Sequence, residues 1–399
     1  MPKISQKGQI TPSSPIRRLV TYADQARERG TYIYRLNIGQ PDIKTPELGL
    51  DALKNYNEKI IEYTHSAGNI NLRRELAAYY KRLNIDISED DIIITTGGSE
   101  SIVFAFLSTL DEGDEVIIPE PFYANYLTFA RMAGASVKSV TSKIEDGFAL
   151  PSISEIEKLI GPKTRGIVIT NPNNPTGYIY SEEELNALAE IAKKYDIYLY
   201  SDEVYHRFCY DNTVHHSMLN LKGVEDNVIL FDSMSKTYSE CGIRIGALIS
   251  RNKEVLATAL KFGMARLAPP AIGQIIAEAS LATSEEYFKE VANEYCARRD
   301  TLIARLNNIP GVICPTPKGA FYTIARLPVD DADKFAQWLL QDFSYNNSSV
   351  MLAPASGFYG TQGLGVDEVR IAYVLNCEDL NKAMDVLEIA LKEYPGRKD

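Results

Sequence analysis

Seven apolar runs in the first two thirds of the chain alternate with helix-like segments. Most of the runs are continuous rather than interrupted by polar residues, as is typical of strands in a sheet that is covered on both faces. The runs are residues 92–96, 115–118, 136–140, 166–170, 197–201, 228–231 and 245–249. We therefore predict an α/β fold, in which a mainly parallel seven-stranded sheet is covered by helices.

Helical patterns lie between these runs and continue beyond them. Ser181 and Glu184 have the spacing of a capping box and precede an apolar stripe, which predicts that a helix begins there. A long helical stretch is predicted from Pro270 to about residue 308.

The end of the chain has a different organisation. Its predicted strands and helices are mixed, at residues 320–325, 332–341, 369–374 and 380–392. Residues 1–30 are polar, with a short helical pattern at about 16–28 that is typical of an arm lying on another surface. We therefore expect a large domain at residues 46–285, and an arm together with a smaller α+β domain at residues 1–45 and 286–399.

The charge balance limits the possible partners. The 399 residues include 42 lysines and arginines against 53 aspartates and glutamates, a formal net charge of -11. These charges are interspersed, so neither nucleic acid nor an anionic membrane is expected as a partner. Because no targeting pattern or membrane-spanning apolar run is found, we expect a cytoplasmic protein. The five scattered cysteines indicate neither a disulfide framework nor a metal site.

Residues 233–246 contain an amine together with side chains that can bind an anion beside it. It lies between two apolar runs, so we expect Lys236 on a loop between buried strands, partly removed from water. Ser233 and Ser235 precede this lysine, and Arg244 follows it. A partly desolvated amine near a fixed cation meets the condition for Schiff-base chemistry with a carbonyl. An ordinary solvated lysine is the alternative for this stretch alone.

Two glycine motifs predict close approach of a ligand to the backbone. Gly98 and Ser99 join a strand to a helix, where N–H groups and the positive end of the helix dipole favour a phosphate. Gly39 precedes a proline-containing turn and leaves room for a ligand. Taken alone, both motifs are explained at least as well by ordinary turns.

Two polar motifs follow buried strands. Asn174 lies in a turn that is fixed by two prolines and a glycine, so its amide can be aimed at a ligand. Asp202 follows a strand of the predicted sheet, at the edge where ligands gather. Tyr205 comes three residues later, so the pair can address two atoms of one ring. An aspartate at this place can alternatively cap a helix.

In their order and spacing, these motifs resemble the pyridoxal-phosphate-dependent aminotransferases of fold type I, specifically the aspartate aminotransferase family (class I/II). The matching motifs span nearly the whole chain: Ile38-Gly39, Asn174-Pro175-Thr176-Gly177, Asp202-Glu203-Val204-Tyr205, Ser235-Lys236 with Arg244, and Val369-Arg370-Ile371. The resemblance implies pyridoxal 5′-phosphate as cofactor and a homodimer with shared active sites. It also implies transamination between an L-amino acid, aspartate-like or broader, and a 2-oxo acid such as 2-oxoglutarate.

The resemblance further implies a role for each matching residue near the cofactor ring. Lys236 would hold the cofactor as an internal aldimine and, once released, would move a proton at the substrate Cα. Asp202 would keep the ring nitrogen protonated. Asn174 and Tyr205 would hydrogen-bond the phenolic oxygen, and Tyr123 would stack on the ring.

The remaining residues that the resemblance assigns would bind anions. The phosphate would be held by Gly98, Ser99, Ser233, Ser235 and Arg244. Tyr63 would reach the phosphate of the neighbouring subunit. The substrate α-carboxylate would be received by Gly39, Asn174 and Arg370, with Arg370 as a planar two-pronged donor.

One departure from the family pattern leaves the substrate open. The best-known aspartate enzymes have a second arginine for the distal carboxylate, and this chain has Gly263 at the matching position. Arg266 lies nearby and is an alternative reader of that carboxylate; a structural arginine is the other interpretation.

Other functions are also compatible with parts of the pattern. β-Elimination from cysteine-like amino acids needs the same lysine, aspartate and arginine, so the sequence leaves it open. A transcription regulator of this fold needs a DNA-binding domain, for which residues 1–40 are too short and insufficiently basic. A dinucleotide-binding protein is disfavoured because no Gly-x-Gly-x-x-Gly follows the first strand.

Overall fold

The computed structural model describes residues 2–11 and 18–398. Its strands are β1 (Tyr32–Arg35), β2 (Ile92–Thr95), β3 (Glu115–Glu120), β4 (Ser136–Thr141), β5 (Thr164–Thr170), β6 (Tyr198–Asp202), β7 (Val228–Ser233), β8 (Gly246–Ser250), β9 (Tyr322–Arg326), β10 (Ser348–Met351), β11 (Ala353–Pro354) and β12 (Glu368–Ala372). Its helices are α1 (Gln6–Ile10), α2 (Val20–Glu28), α3 (Glu47–Lys54), α4 (Ile70–Arg82), α5 (Gly98–Thr109), α6 (Asn125–Met132), α7 (Ile153–Lys158), α8 (Glu182–Tyr195), α9 (Met234–Thr237), α10 (Lys253–Arg266), α11 (Ala271–Ser280), α12 (Glu285–Asn307), α13 (Ala332–Gln341) and α14 (Cys377–Glu393).

The central sheet has seven strands in the order β2-β8-β7-β6-β5-β3-β4. Neighbours from β7 to β4 are parallel, whereas β8 is antiparallel to both β7 and β2. The predicted α/β class and mainly parallel seven-stranded sheet are therefore confirmed. β8 runs the other way because residues 234–245 form a short return around α9, instead of a crossover helix that packs on the sheet.

Alternate residues of the central strands face opposite layers of helices. Val168 of β5 belongs to a buried cluster with Phe106 of α5 and Ala259 of α10. Its neighbour Ile167 belongs to another cluster, which contains Leu188 of α8. Because both faces are covered, apolar residues are needed at successive positions, and this is why the strands appear in the sequence as continuous runs.

The helix predicted at Ser181 begins there. The Ser181 hydroxyl accepts a hydrogen bond from the Glu184 N–H at 3.2 Å, and the Glu184 carboxylate accepts one from the Ser181 N–H at 2.8 Å. The long stretch predicted after Pro270 is different, because it consists of two helices, α11 and α12. Ser284 is the N-cap of α12 and two glutamates lie in its first turn, so this helix has its own start signal.

Two smaller sheets lie beside the central one. β1 is parallel to β10, and β11, β12 and β9 form an antiparallel sheet in that order. Phe335 of α13 and Leu387 of α14 belong to the buried core on these strands. The predicted mixture of strands and helices at the end of the chain is therefore present. The helical pattern predicted at 16–28 falls partly outside the described residues, and α2 begins at Val20.

None of the described helices is both long and apolar enough to cross a membrane. Among these same residues, no group of three or more His, Cys, Asp and Glu side chains is arranged to hold a metal ion. All five cysteines have free thiols.

Candidate active site

A cavity of about 780 Å³ opens at the carboxyl-terminal edge of the central sheet. Residues at the ends of β5, β6 and β7, at the start of α5 and in β12 line it. Of the residues predicted for the site, it is lined by Gly39, Gly98, Ser99, Tyr123, Asn174, Asp202, Tyr205, Ser233, Ser235, Lys236, Arg244 and Arg370. Distant motifs meet here because the carboxyl ends of parallel strands share one edge of the sheet.

Lys236 lies on α9, a single helical turn, so the prediction of a loop is wrong at this position. Ser233 caps the turn, since its hydroxyl accepts a hydrogen bond from the Ser235 N–H at 3.2 Å. The Lys236 Nζ donates to the Gly39 carbonyl at 2.7 Å, and the centroid of the Phe321 ring is 5.9 Å away. A backbone carbonyl therefore fixes the position of the amine in the cavity.

The first turn of α5 and Arg244 form a positively charged end of the cavity. Gly97 has a φ of +75°, and a Cβ there would lie 2.3 Å from the Arg244 Nη2. A Cβ on Gly246 would lie 2.6 Å from the Gly98 nitrogen. Glycine at both positions therefore lets the guanidinium and the returning strand approach the helix start, whose N–H groups favour an anion.

Asp202 is the last residue of β6 and is buried in the cavity wall. The Tyr126 hydroxyl donates to its Oδ2 at 2.7 Å and lies 2.8 Å from the Thr170 hydroxyl. Burial raises the pKa of Asp202 to about 6, although the Tyr126 hydrogen bond acts in the opposite direction. The carboxyl is therefore suited to pair with a buried cationic nitrogen, which would restore its charge. Sequence reasoning missed Tyr126.

Asn174 connects Tyr205 to Arg370. Its amide nitrogen is 3.5 Å from the Tyr205 hydroxyl and its amide oxygen is 3.2 Å from the Arg370 Nη1. The Tyr205 hydroxyl lies 3.0 Å from that of Tyr322, which donates to the Gly39 carbonyl at 3.3 Å. Burial raises the pKa of Tyr205 well above its usual range, so this phenol remains a hydrogen-bond donor. Tyr322 was also missed, although it lies in a predicted strand.

Arg370 is a buried cation in the wall of the cavity, and 1% of it is exposed. Besides the bond to Asn174, it donates to the Asn37 carbonyl at 2.5 Å, while its Nε has no hydrogen-bond partner among the described residues. The Tyr322 and Phe358 rings lie 4.6 and 5.0 Å from the guanidinium carbon. Burial lowers the pKa of Arg370. A buried guanidinium that keeps an unused donor is suited to an anionic ligand.

Two residues considered for the site lie outside this cavity. Tyr63 is 80% exposed and lines a separate surface concavity. Arg266 donates to the Glu100 carboxylate at 2.7 Å and to the Ser66 carbonyl at 3.0 Å. The interpretation of Arg266 as a structural arginine therefore fits its contacts better than a role in reading a substrate carboxylate of this chain's own cavity.

Comparison with known proteins identifies the family. The model of the family described as aminotransferase class I and II matches residues 32–387. The chain belongs to this family. An aspartate aminotransferase of Pyrococcus horikoshii is 35% identical, over 98% of this chain and 97% of that protein. An aromatic-amino-acid aminotransferase of Thermococcus litoralis is 32% identical, over 98% of each. The structure of Thermus thermophilus aspartate aminotransferase with maleate matches with a TM-score of 0.89 at 28% identity, over 98% of this chain and 100% of that one.

Membership of this family makes the protein a pyridoxal-phosphate-dependent transaminase of fold type I. The resemblance found in the sequence is thereby confirmed. β-Elimination is not favoured, since these relatives are named as aminotransferases. The residues of the cavity fit the cofactor: Lys236 offers an amine, Asp202 a buried acid, and Arg244 with the start of α5 a place for a phosphate.

Proposed function

We propose that this transaminase moves an amino group between an L-amino acid, aspartate-like or of a broader class, and a 2-oxo acid such as 2-oxoglutarate. The observation that carries the proposal is the buried Arg370, whose Nε has no partner among the described residues. The printed names of relatives support a range of donors, because they include aspartate, aromatic-amino-acid and alanine aminotransferases.

Arg370 is proposed to receive the α-carboxylate that amino acids and 2-oxo acids share. Its planar guanidinium can donate two parallel hydrogen bonds to a carboxylate. Asn174 bonds to this guanidinium, and the Asn37 carbonyl accepts from it. These contacts fix its orientation before a ligand binds. Gly39 contributes space, because a larger residue would meet Tyr322.

Lys236 is proposed to supply the amine to which the cofactor is attached, and then to act as the base. Once released, its Nζ would take a proton from the Cα of the amino donor. In the second half of the reaction it would deliver a proton to the Cα of the new amino acid. The Gly39 carbonyl accepts from Nζ at 2.7 Å, so the amine has a defined resting position. When bound, the cofactor supplies an electron sink for the charge that develops at the substrate Cα.

Four side chains are proposed to orient the cofactor ring. Asp202 would hold a proton at the ring nitrogen, and the hydrogen bond from Tyr126 limits its rotation. Asn174 and Tyr205 would donate to the phenolic oxygen, supported by their contacts with Arg370 and Tyr322. Tyr123, which also lines the cavity, would pack on the ring face.

The phosphate is proposed to lie at the charged end of the cavity. The residues assigned to it are Gly98, Ser99, Ser233, Ser235 and Arg244. Tyr63 is proposed to complete this site in a second subunit, and its exposure supports that role. We further propose a cytoplasmic homodimer in which residues 46–285 form the cofactor-binding domain. The position of the central sheet, within residues 92–250, supports this division.

A substrate panel tests the proposed function. Aspartate, glutamate, alanine, phenylalanine, tyrosine and cysteine would each be assayed with 2-oxoglutarate, pyruvate and oxaloacetate as acceptors. We expect the 2-oxo acid of at least one donor to accumulate in equal amount with the new amino acid. Release of ammonia and pyruvate from cysteine without any amino transfer would contradict the proposal.

A further inference from the structure

Glu120, at the end of β3, is a fully buried acid for which the proposed function has no use. None of its surface is exposed. Its Oε2 accepts hydrogen bonds from the Gly360 N–H at 2.7 Å and the Thr361 N–H at 3.0 Å, and its Oε1 accepts one from the Thr141 hydroxyl at 2.8 Å. Within the described parts of the chain, the carboxyl has donors on both oxygens but forms no ion pair with a cation.

The backbone bonds of Glu120 reach a segment that is distant in sequence, residues 355–361, which we call the docked segment. This segment connects β11 towards β12, and it begins with a 3-10 turn over Ala355–Phe358. The Phe358 carbonyl accepts from the Phe122 N–H at 2.8 Å, two residues beyond Glu120. A Cβ on Gly360 would lie 2.4 Å from the Ser139 hydroxyl of β4. The docked segment is therefore in close contact with the edge of the central sheet.

Phe358 connects the docked segment to the carboxylate receptor. Its side chain is fully buried, and its ring centroid lies 5.0 Å from the guanidinium carbon of Arg370. An aromatic face at this distance attracts a desolvated cation and restricts its position. Tyr322 contacts the same guanidinium at 4.6 Å. A displacement of Phe358 would thus move one of the two rings that position Arg370.

We propose that Glu120 is a positioning residue for α-carboxylate binding, which acts through the docked segment and Phe358 on Arg370. The inference rests on the proposed role of Arg370. This role depends on the length of the Glu120 side chain, because the bonds from its carboxyl to Gly360 and Thr361 fix the position of the docked segment. Its charge is secondary, since the donors are two backbone N–H groups and one hydroxyl.

Two substitutions separate the effect of side-chain length at Glu120 from the effect of its charge. In Glu120→Gln the side chain keeps its length, the amide oxygen accepts from both N–H groups, and the amide nitrogen donates to the Thr141 hydroxyl oxygen. In Glu120→Asp the charge is kept, but the carboxylate is one methylene shorter and withdraws from the docked segment. Neither change leaves a large cavity, so both variants are suited to comparison in the cofactor-loaded enzyme.

The experiment measures kcat and KM for the best amino acid and 2-oxo acid of the substrate panel, and single-turnover rates with a primary amine that has no carboxylate. For Glu120→Asp we expect KM of both carboxylate substrates to rise about tenfold, with kcat and the amine rate within about threefold of the parent. In Glu120→Gln, KM should stay within about threefold of the parent value. Glu157→Gln is the matched control; the Glu157 carboxylate of α7 accepts from the side chains of Lys194 and Tyr195 of α8, so KM should be unchanged.

Hydrogen exchange supplies a readout that does not depend on turnover. The Gly360 and Thr361 amides should exchange at least tenfold faster in Glu120→Asp than in Glu120→Gln. The inference is overturned if the aspartate variant keeps its KM while the glutamine variant loses it, or if amine and amino-acid rates fall together. Arg370→Lys, assayed in parallel, distinguishes a failure of the proposed role of Arg370 from a failure of the inference about Glu120. If that variant leaves the amino-acid KM unchanged, the proposed role of Arg370 is wrong; if it raises the KM and Glu120→Asp does not, only the present inference is wrong.

Discussion

The Asn174 amide oxygen lies 3.2 Å from the Arg370 Nη1, although the two residues are separated by 196 positions in the chain. The amide nitrogen of the same Asn174 points to the Tyr205 hydroxyl. One side chain therefore links the residue proposed to receive the α-carboxylate to a residue proposed to hold the cofactor ring. Substrate and cofactor are expected to be oriented relative to each other through this amide.

Arg370→Lys should separate carboxylate binding from cofactor binding. Lysine keeps a positive charge but cannot donate two parallel hydrogen bonds from one plane. We expect the visible cofactor absorbance to remain, while kcat/KM for every amino acid falls by a hundred- to several-thousand-fold, equivalent to about 3–5 kcal/mol for a broken buried charge pair. Amines without a carboxylate should be far less affected. Amino-acid turnover within a few-fold of the parent would show that another group receives the carboxylate.

Lys236 should be the only attachment point of the cofactor. Borohydride treatment of the yellow enzyme should bleach its visible absorbance and label a single peptide, the one that contains Lys236. Lys236→Ala should lower kcat by roughly 10²- to 10⁴-fold, the usual effect of a general base. Peptide mapping by mass spectrometry checks the first result. A label on any other lysine would contradict the assignment.

Asp202 should make the stability of the cofactor-free protein depend on pH. Burial raises its pKa to about 6 in the folded chain. Between the ordinary value near 4 and about 6, the folded chain holds a proton that the unfolded chain has released. The contribution of Asp202 to the free energy of unfolding therefore falls as pH rises through this window. Denaturant unfolding at pH 4.5 and 6.5 should show this decrease in the parent and a smaller one in Asp202→Asn.

Binding of the cofactor should reduce the same pH dependence. A cationic ring nitrogen beside the carboxyl favours its charged form and opposes the effect of burial. The difference between the parent and Asp202→Asn should then be smaller in the loaded enzyme than in the cofactor-free protein. An equal difference in both forms would mean that Asp202 does not face the ring nitrogen.

Gly39→Ala should disturb the cavity because it leaves no room for a methyl group. A Cβ at this position would lie 1.7 Å from the Tyr322 hydroxyl oxygen. Displacement of Tyr322 should destabilise the protein by about 1–3 kcal/mol, typical of overpacking, and should lower kcat/KM by about tenfold or more. Gly242→Ala is the control, since nothing lies within 4 Å of the added Cβ. Thermal unfolding and steady-state assays of both variants make the comparison.

Tyr63 should act in the active site of a second subunit. Light scattering should show a dimer, whose interface is expected to bury about 2,000 Å² or more. Lys236→Ala and Tyr63→Ala should each be impaired alone. When the two are unfolded and refolded together, random pairing gives about a quarter of sites both intact residues, so activity should return. If no activity is recovered, Tyr63 either acts in the active site of its own chain or has no part in catalysis.

The sequence predicted the central sheet because its strands are covered on both faces. Val168 and Ile167 are both buried although they point in opposite directions, so a strand of this kind is recognisable from composition alone. Asp202 and Asn174 were predicted because a parallel sheet brings residues that follow its strands to one edge. The direction of β8 was not predicted, since it depends on how residues 234–245 fold back.

Contacts between side chains that are far apart in the chain could not be predicted from the sequence. The bond from Tyr126 to Asp202 spans 76 positions and the contact between Tyr205 and Tyr322 spans 117. No local spacing marks either tyrosine as part of the site. Arg266 shows the converse: its position near Gly263 made it one candidate for substrate binding, while its guanidinium bonds Glu100, 166 positions away. This contact between α10 and α5 favours the structural interpretation, and no local sequence pattern marks it.

The segment that contains Gly39 also connects the amine of Lys236 to the proposed carboxylate receptor. The Gly39 carbonyl accepts from Lys236, and the Asn37 carbonyl, two residues earlier, accepts from Arg370. The amine and the carboxylate receptor are thus bound to the same short piece of backbone, and their separation is set by its covalent geometry. A shift of this piece of backbone is therefore expected to move the amine and the carboxylate receptor together.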